Sequence, residues 1–580
     1  MSSIGITNDS WSFHIVDQLV QQQITNFCIA PGSRNSPISL AVARRKDIKA
    51  HVHFDERGLG FYALGIAKAS QNPVVIVVTS GTAVGNLLPS IMEAFQSHIP
   101  LIVITADRPI ELQDSEANQT IDQTKIFQNF VKWQSEIAPS SSTNLDSVRS
   151  IISYAAFKSK AETKGPIHIN CRFQEPLYSI PQNNNLTSIQ ATSYFSLKSD
   201  FNEEIANIAI QKITSCEKGL IIVAITNSAS INEIIEFSKL LNWPIYVEVI
   251  SRSNISGDSD TLLYQLPYLL EFFPDQFKDL DCILQFGERI ISKKILTWMR
   301  KTKLKNYFLI TEHNKKSDEF HLISDRIITP LAPFVKKLTK SISKKQNEML
   351  SEIKELDLMI LEKINNEVFN YNSLSDHLLY YLFNDLSLTN YSMFLGNSSV
   401  IRDANTLFFP NKAKGQIFAN RGVSGIDGNI ATLSGIANTS SSPVIAVIGD
   451  LTFLHDLTSI PLLKAQKTPV TLFVINNNGG EIFSQLPVIN FQMHFDKFFK
   501  TPHNLSFAKI AEFFSIDYKC INSSSSLKNQ FKTVTFNKTQ IVELKVDPAC
   551  CRLLRKKIDN ALKEAICLPI KNMEAVKTPH

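Results

Sequence analysis

The sequence predicts an α/β protein made of three doubly wound parallel-sheet domains. Short, continuously apolar runs, among them residues 74–79, 101–105, 444–448 and 470–475, recur between segments of helical periodicity. Strands that are apolar on both faces and alternate with amphipathic helices belong in parallel sheets covered on either side. A chain of 580 residues is too long for one hydrophobic core, and about three domains is the natural division. A polar stretch at 182–188 and a Lys- and Glu-rich stretch at 336–367 part the apolar runs into three groups. The expected domains are therefore 1–182, 189–340 and 373–580, with a helical connector at 341–372.

In chain order, Trp11, Ile15, Val16, Leu19 and Val20 are spaced for one face of a helix over 11–25. Asn8, Asp9 and Ser10 precede it as cap-forming residues. Strands follow at 26–30, 51–54, 74–79, 101–105 and 165–170, with a helix at 83–97. The second group has strands at 220–225, 245–250, 282–286 and 307–311 and fewer glycines at their ends. The third opens near Ser373 and has strands at 392–395, 416–419, 444–448, 470–475 and 541–546. No sequence repeat strong enough to establish duplication relates the groups. Arg552, Arg555, Lys556 and Lys557 interleave with apolar residues and are expected on the solvated face of a terminal helix.

Composition excludes several classes of function. Hydrophobic content of 44% with 19% charged residues describes a soluble globular protein. A net charge of +5 is small for this length and argues for neither nucleic acid nor a membrane surface as a partner, and none is expected. Eight cysteines are scattered without a CxxC pair, so neither a zinc site nor a disulfide framework is expected, and a reducing cytoplasm fits. The N-terminus has no signal-peptide pattern, and no apolar run nears the ~20 residues that span a bilayer.

Chemistry in an open parallel sheet gathers at the carboxyl ends of its strands. Ile448-Gly449-Asp450-Leu451 closes one apolar run, and Asn476-Asn477-Asn478-Gly479-Gly480 closes the next. Together an Asp and an Asn-Gly turn offer carboxylate, amide and carbonyl oxygens to one hard cation. Mg2+ is the first choice, and it would hold a diphosphate by sharing its oxygens. Two ordinary strand-to-loop turns would carry the same residues. Glu56 stands where Phe54-Asp55 gives way to the helix start Arg57-Gly58-Leu59-Gly60; a surface carboxylate is the plain alternative. Ser33, Arg34, Arg108 and Gln119 also follow strand ends, as do Ser398, Arg402 and Arg421 in the third group. Four guanidiniums so placed suit carboxylates, which they grip with paired hydrogen bonds.

Taken as an ordered set, these strand ends resemble thiamine-diphosphate-dependent enzymes. Within them the pattern is most similar to the 2-succinyl-5-enolpyruvyl-6-hydroxy-3-cyclohexene-1-carboxylate synthases of menaquinone biosynthesis. In the first group the resemblance is carried by Pro31-Gly32-Ser33-Arg34, Phe54-Asp55-Glu56-Arg57-Gly58-Leu59-Gly60, Thr79-Ser80-Gly81-Thr82-Ala83 and Thr105-Ala106-Asp107-Arg108-Pro109. Ala117-Asn118-Gln119 and Gly165-Pro166-Ile167-His168-Ile169-Asn170 complete it. In the third group it is carried by Gly396-Asn397-Ser398, Asn420-Arg421-Gly422-Val423-Ser424-Gly425-Ile426-Asp427-Gly428 and the Asp450 and Asn477 turns. The central group matches only faintly.

The resemblance implies a pyrimidine-binding domain at 1–182, a central domain at 189–340 and a diphosphate-binding domain at 373–580. It implies an active site completed by two subunits, so that a homodimer is the smallest active unit and a homotetramer the expected assembly. The implied cofactor is thiamine diphosphate, with Mg2+, or Mn2+ in its place, held by Asp450, Asn477 and the Gly479 carbonyl. Glu56 would be the catalytic carboxylate on the cofactor's aminopyrimidine ring, and Ile426 would wedge beneath the cofactor to bend it. Thr79, Ser424, Leu451, Ile482 and Phe483 would also line it.

The implied transferase reaction decarboxylates 2-oxoglutarate and adds the resulting succinyl carbanion to isochorismate. Ser398, Arg402 and Arg421 would hold 2-oxoglutarate. Ser33, Arg34, Arg108, Asn118, Gln119, Lys293 and Lys294 would contact isochorismate. Four positions depart from the pattern: Leu451 replaces a glycine of the wider group, Lys294 stands where Arg is common, and Asn35 and Glu481 also differ. An ammonium neutralises a carboxylate but lacks the planar fork. Another thiamine-diphosphate 2-oxoacid decarboxylase or carboligase, such as one acting on pyruvate, has less use for so many arginines. A catalytically silent binding paralogue has no need of Glu56 together with Asp450 and Asn477.

Overall fold

The computed structural model describes residues 3–566 apart from 140–144, 162, 180–185, 196–200, 226–229, 256, 303, 343, 345–348, 387–389, 410–414 and 533–535, and without the side chains of Asn254 and Gln492. Residues 182–185 of the expected linker and 343 and 345–348 of the expected connector lie outside that set. The chain forms two compact units, one of 1–198, 420–443 and 451–470, the other of 199–419, 444–450 and 471–580.

The first unit is built on six parallel strands: β1 (Asn26–Ile29), β2 (Lys49–Val52), β3 (Val74–Val78), β4 (Leu101–Asp107), β5 (Trp133–Ile137) and β6 (Ile167–Arg172). Their order is β2-β1-β3-β4-β6-β5. Every residue of β3 and β4 is buried, as the continuous apolar runs require. The order reverses between β1 and β3, and the loop after β1 reaches the end of β3 there. Gly32 allows that approach, since a Cβ on it would lie 2.4 Å from the Thr79 Cβ.

Helix Glu56–Ser70 is buried from Gly58 to Ala67. It crosses helix Asn429–Thr439 at two glycines: a Cβ on Gly65 would sit 2.1 Å from the Thr432 carbonyl, and one on Gly435 2.1 Å from that of Tyr62. This backbone contact draws segment 420–443 into the first unit. The first helix runs Ser3–Gln21, earlier than expected. Asn8 and Asp9 lie inside it because their side chains serve the tertiary fold: Asn8 donates to the Gln174 and Pro176 carbonyls, and Asp9 accepts from the Ser179 N–H. The helix expected at 83–97 is two helices, Thr82–Asn86 and Leu88–Gln96, the second with Pro89 in its first turn.

The second unit holds two parallel sheets. One contains β7 (Gly219–Val223), β8 (Ile245–Val247), β9 (Leu262–Leu263), β10 (Cys282–Phe286), β11 (Asn306–Thr311) and β12 (Asp325–Ile328), in the order β12-β11-β10-β7-β8-β9. Its halves run outward from β7 and β10, the doubly wound arrangement. The other contains β13 (Ser392–Leu395), β14 (Ile417–Phe418), β15 (Val444–Gly449), β16 (Val470–Asn476), β17 (Asp517–Ile521) and β18 (Gln540–Lys545), in the order β14-β13-β15-β16-β18-β17. That is the connectivity of the first unit's sheet, so a repeat too weak to establish from the sequence is present in the topology.

One apolar core joins both sheets of this unit, from Leu220 and Ile283 through Ile353 and Ile360 to Val447, Phe473 and Leu562. Buried Arg252 ties them together, donating to the carbonyls of Phe408 and Asn405, each at 2.7 Å. The connector is one long helix, Met349–Asn370, after the shorter Leu331–Lys340. The terminal helix Pro548–Ile566 corrects an expectation, because two of its basic residues are tied to carboxylates of the fold rather than left to solvent alone. Arg555 pairs with both oxygens of Asp403 at 2.8 and 2.7 Å, and Arg552 pairs with Glu481. Carboxylates on neighbouring segments, buried at Asp403 and half-buried at Glu481, supply the reason. Lys556 and Lys557 are exposed as expected. No helix among the described residues is long and apolar enough to cross a membrane, and the cysteines among them are free thiols.

Candidate functional site

In the second unit, β15 and β16 are neighbours in a parallel sheet, so their carboxyl ends lie side by side. This brings Asp450 to the turn after Asn476. Asp450 is 2% exposed, and one of its oxygens accepts the N–H groups of Asn477 at 3.1 Å and Gly479 at 2.8 Å. The His503 ring nitrogen lies 3.3 Å from the same oxygen. Gly479 has φ +132°, and a Cβ there would meet the Lys500 carbonyl at 2.2 Å, so only glycine fits. Its own carbonyl accepts the Glu481 N–H at 2.9 Å. The Asn478 side chain holds the turn from the other side, accepting from the His503 and Asn504 N–H groups at 3.1 and 2.9 Å.

The Asn477 amide oxygen is buried without a hydrogen-bond partner. A buried acceptor left unsatisfied costs stability unless something electropositive meets it. A carboxylate, an orphaned amide oxygen and a glycine carbonyl in one turn are donors a hard cation takes. These residues fit Mg2+ with a diphosphate. Ile482 and Phe483 follow in the next turn and are half-buried, Phe483 edge-on to Phe499 at 5.9 Å.

Ser398 has φ +68° and precedes helix Ser399–Leu407. Exposed Arg402 donates back to its carbonyl at 2.7 Å. Lys293 and Lys294 open helix Lys293–Lys301. The Lys294 ammonium pairs with Glu271 at 2.5 Å and lies 3.6 Å from the Tyr268 ring centre, so this cation has its own partners within the fold. Buried Glu248 accepts the Ile291 and Ser292 N–H groups at 3.1 and 3.3 Å and so anchors the start of that helix; burial pushes its carboxyl up to about 7.

In the first unit, Glu56 opens helix Glu56–Ser70 behind Asp55, whose side chain caps the Arg57 and Gly58 N–H groups. Asn86 donates to Glu56 at 3.3 Å. Thr79 ends β3 and is 8% exposed. Arg34 and Arg108 are both buried. Arg34 donates to the Phe173 carbonyl at 3.0 Å and to Glu175 at 2.8 Å. Arg108 donates to the Gln119 carbonyl at 2.9 Å, and Gln119 in turn donates to the Ser80 carbonyl at 2.8 Å. Burial, and then the charge of Arg34, lower the Arg108 pKa from its ordinary value. Arg34 thus lies in the loop after β1, and Arg108 and Gln119 are joined within the loop after β4, while Ser33 and Asn118 are exposed beside them in sequence.

The loop bearing Arg421, Ser424 and Ile426 belongs to the first unit as well. Glu93, 1% exposed, accepts the Gly422 and Val423 N–H groups at 2.8 and 2.7 Å and pins the loop. Past the loop, Gly428 has φ +61°, and a Cβ there would strike the Phe61 ring at 1.9 Å. Ser424 is exposed at φ +59°, Arg421 and Ile426 are half-buried, and Leu451 is half-buried at the first turn after β15. Sequence reasoning missed Glu93, Glu248 and His503. A lone acid among Ile91, Ala94 and Phe95 was the available signal for Glu93; nothing local marked His503.

The comparisons with known proteins agree along the chain. Residues 10–126 match the N-terminal TPP binding domain of thiamine pyrophosphate enzymes, 188–389 the middle domain, and 399–545 the C-terminal TPP binding domain. The chain is 33% identical over 550 residues to the 2-succinyl-5-enolpyruvyl-6-hydroxy-3-cyclohexene-1-carboxylate synthase of Psychromonas ingrahamii, covering 92% of each chain. It is 32% identical to that of Prosthecochloris aestuarii over 92% of this chain and 94% of the relative. It is 33% identical to that of Haemophilus influenzae over 97% and 99%. Three parallel sheets in the order of those domains, strand ends furnished as described and similarity running nearly end to end place this chain in the thiamine pyrophosphate enzyme family.

Proposed function

We propose that the protein decarboxylates 2-oxoglutarate and joins the resulting succinyl carbanion to isochorismate, the synthase reaction of menaquinone biosynthesis. The observation that carries this reading is the placement of two buried guanidiniums, Arg34 and Arg108, past the ends of β1 and β4 of one sheet, with Arg34 already holding the exposed carboxylate of Glu175 at 2.8 Å. A guanidinium that holds an exposed carboxylate of the fold can exchange it for a substrate's, and isochorismate carries two carboxylates. The names of the full-length relatives support the same assignment.

Thiamine diphosphate, when bound, supplies the electron sink for the pair left by CO2 loss. Asp450, Asn477 and the Gly479 carbonyl would hold its diphosphate through Mg2+ or Mn2+, with Leu451, Ile482 and Phe483 beside it. Glu56 would hold a proton at the aminopyrimidine ring, with Thr79, Ser424 and Ile426 fixing the ring's position. Ser398, Arg402 and Arg421 would grip 2-oxoglutarate through its two carboxylates. Ser33, Asn118, Gln119 and Lys293 would orient isochorismate around Arg34 and Arg108, with Lys294 contributing once released from Glu271. A homodimer is the smallest active assembly in this proposal, a homotetramer its expected state, and the cytoplasm its setting.

The test is incubation with thiamine diphosphate, Mg2+ and 2-oxoglutarate, with and without isochorismate. CO2 release should be matched by equimolar loss of isochorismate absorbance, and pyruvate should not substitute. Equal turnover of pyruvate, or CO2 release with isochorismate untouched, would assign the chain to another 2-oxoacid decarboxylase or carboligase.

A further inference from the structure

Glu481 stands at a sensitive place, two residues past Gly479. Its side chain is 11% exposed and pairs through one oxygen with Arg552 of the terminal helix. The other oxygen is buried without a partner, as is the Asn477 amide oxygen. Both residues line one cavity of about 20 Å3, together with Ser399, Asp376, Arg552 and Arg555. That volume holds about one water molecule. Two orphaned acceptors on residues that line so small a space can be met by one donor of two hydrogen bonds, and a water is one.

We propose that Glu481 is a positioning residue for the cation–diphosphate site: Arg552 fixes its carboxylate, and its second oxygen anchors a water that orients the Asn477 amide toward the cation. The proposal rests on reading Asp450, Asn477 and Gly479 as the cation ligands. Partners that orient a ligand without touching the metal govern affinity by about 10–100-fold. Glu481 also adds a negative charge beside a bound diphosphate, and Arg552 offsets it. An unpaired buried carboxylate there would repel the cofactor.

The experiment titrates Mg2+ against a fixed concentration of thiamine diphosphate and full-length protein by calorimetry, with no substrate present. Glu481→Gln keeps the shape and the Arg552 contact but removes the charge. It should raise half-saturating Mg2+ by about tenfold while leaving the thermal midpoint of the cofactor-free protein unchanged. An unchanged Mg2+ requirement overturns the proposal, and so does a lowered midpoint with the requirement unchanged, which marks a purely structural ion pair. Should Gln impair folding, Glu481→Asp reads the same quantity, keeping the charge at shorter reach. Asp450→Ala separates the two layers. A defect there with Glu481→Gln unaffected overturns this inference alone, whereas normal Mg2+ dependence in Asp450→Ala overturns the cation reading and the inference with it.

Discussion

Glu93→Gln probes the loop that carries Arg421, Ser424 and Ile426. The carboxylate is 1% exposed and accepts the Gly422 and Val423 N–H groups at 2.8 and 2.7 Å; the Lys68 ammonium lies 3.9 Å away. Glutamine keeps one acceptor oxygen and turns an NH2 group toward the other N–H, replacing a charge-assisted bond with two opposed donors. Such bonds contribute about 1.5–3 kcal/mol each, and the surviving one weakens on losing its charge, so the loop should lose roughly 2–4 kcal/mol. Hydrogen exchange reads local opening directly, without requiring the chain to unfold as one unit. At a tenfold change per 1.4 kcal/mol, the Gly422 and Val423 amides should exchange roughly 30- to 700-fold faster. Turnover should fall with them, because three proposed contact residues share the loop. Exchange within about threefold of the parent protein would refute the reasoning.

Glu56→Gln should leave cofactor affinity near that of the parent but slow exchange of the thiazolium carbon proton by at least about a hundredfold, followed by NMR; an unaltered exchange rate removes its catalytic role. Arg402→Ala should raise KM for 2-oxoglutarate by about tenfold or more, consistent with loss of a charge-assisted pair of roughly 1.5–3 kcal/mol. If isochorismate kinetics alone change, the two substrate assignments must be exchanged. Glu248 carries a pH signature: its folded pKa, near 7, lies above the unfolded value of 4.5, so between these limits the folded state binds the extra proton. Its contribution therefore falls as pH rises from about 4.5 to 7, and Glu248→Gln should flatten the decline of the thermal midpoint across that window. A decline as steep as the parent's would assign it to other groups.

Most strands legible in the sequence are buried inside their sheets; the exposed edge strand β2 is expected too, at 51–54, and forms at Lys49–Val52. β3, β4, β15 and β16 lie inside their sheets, are covered on both faces and read as continuous apolar runs. The four strands missed, β5, β9, β12 and β17, are all sheet edges. Trp133–Ile137 and Asp517–Ile521 mix polar and apolar residues because an edge strand keeps partial access to water. The start of the first helix was misplaced for a related reason: Asn8 and Asp9 look like caps, but their side chains are engaged some 170 residues away.

The sequence by itself determined the fold class, the three parallel sheets and most of the strands that build them, because burial on two faces and turn chemistry are local constraints. Only the tertiary structure decided which of those residues have partners. It gave Arg34 to Glu175, left the Asn477 oxygen unsatisfied, gave Lys294 to Glu271, and paired Arg552 with Glu481. Each depends on segments far apart in the chain meeting in space, and hydrogen bonding and charge pairing are settled by those meetings.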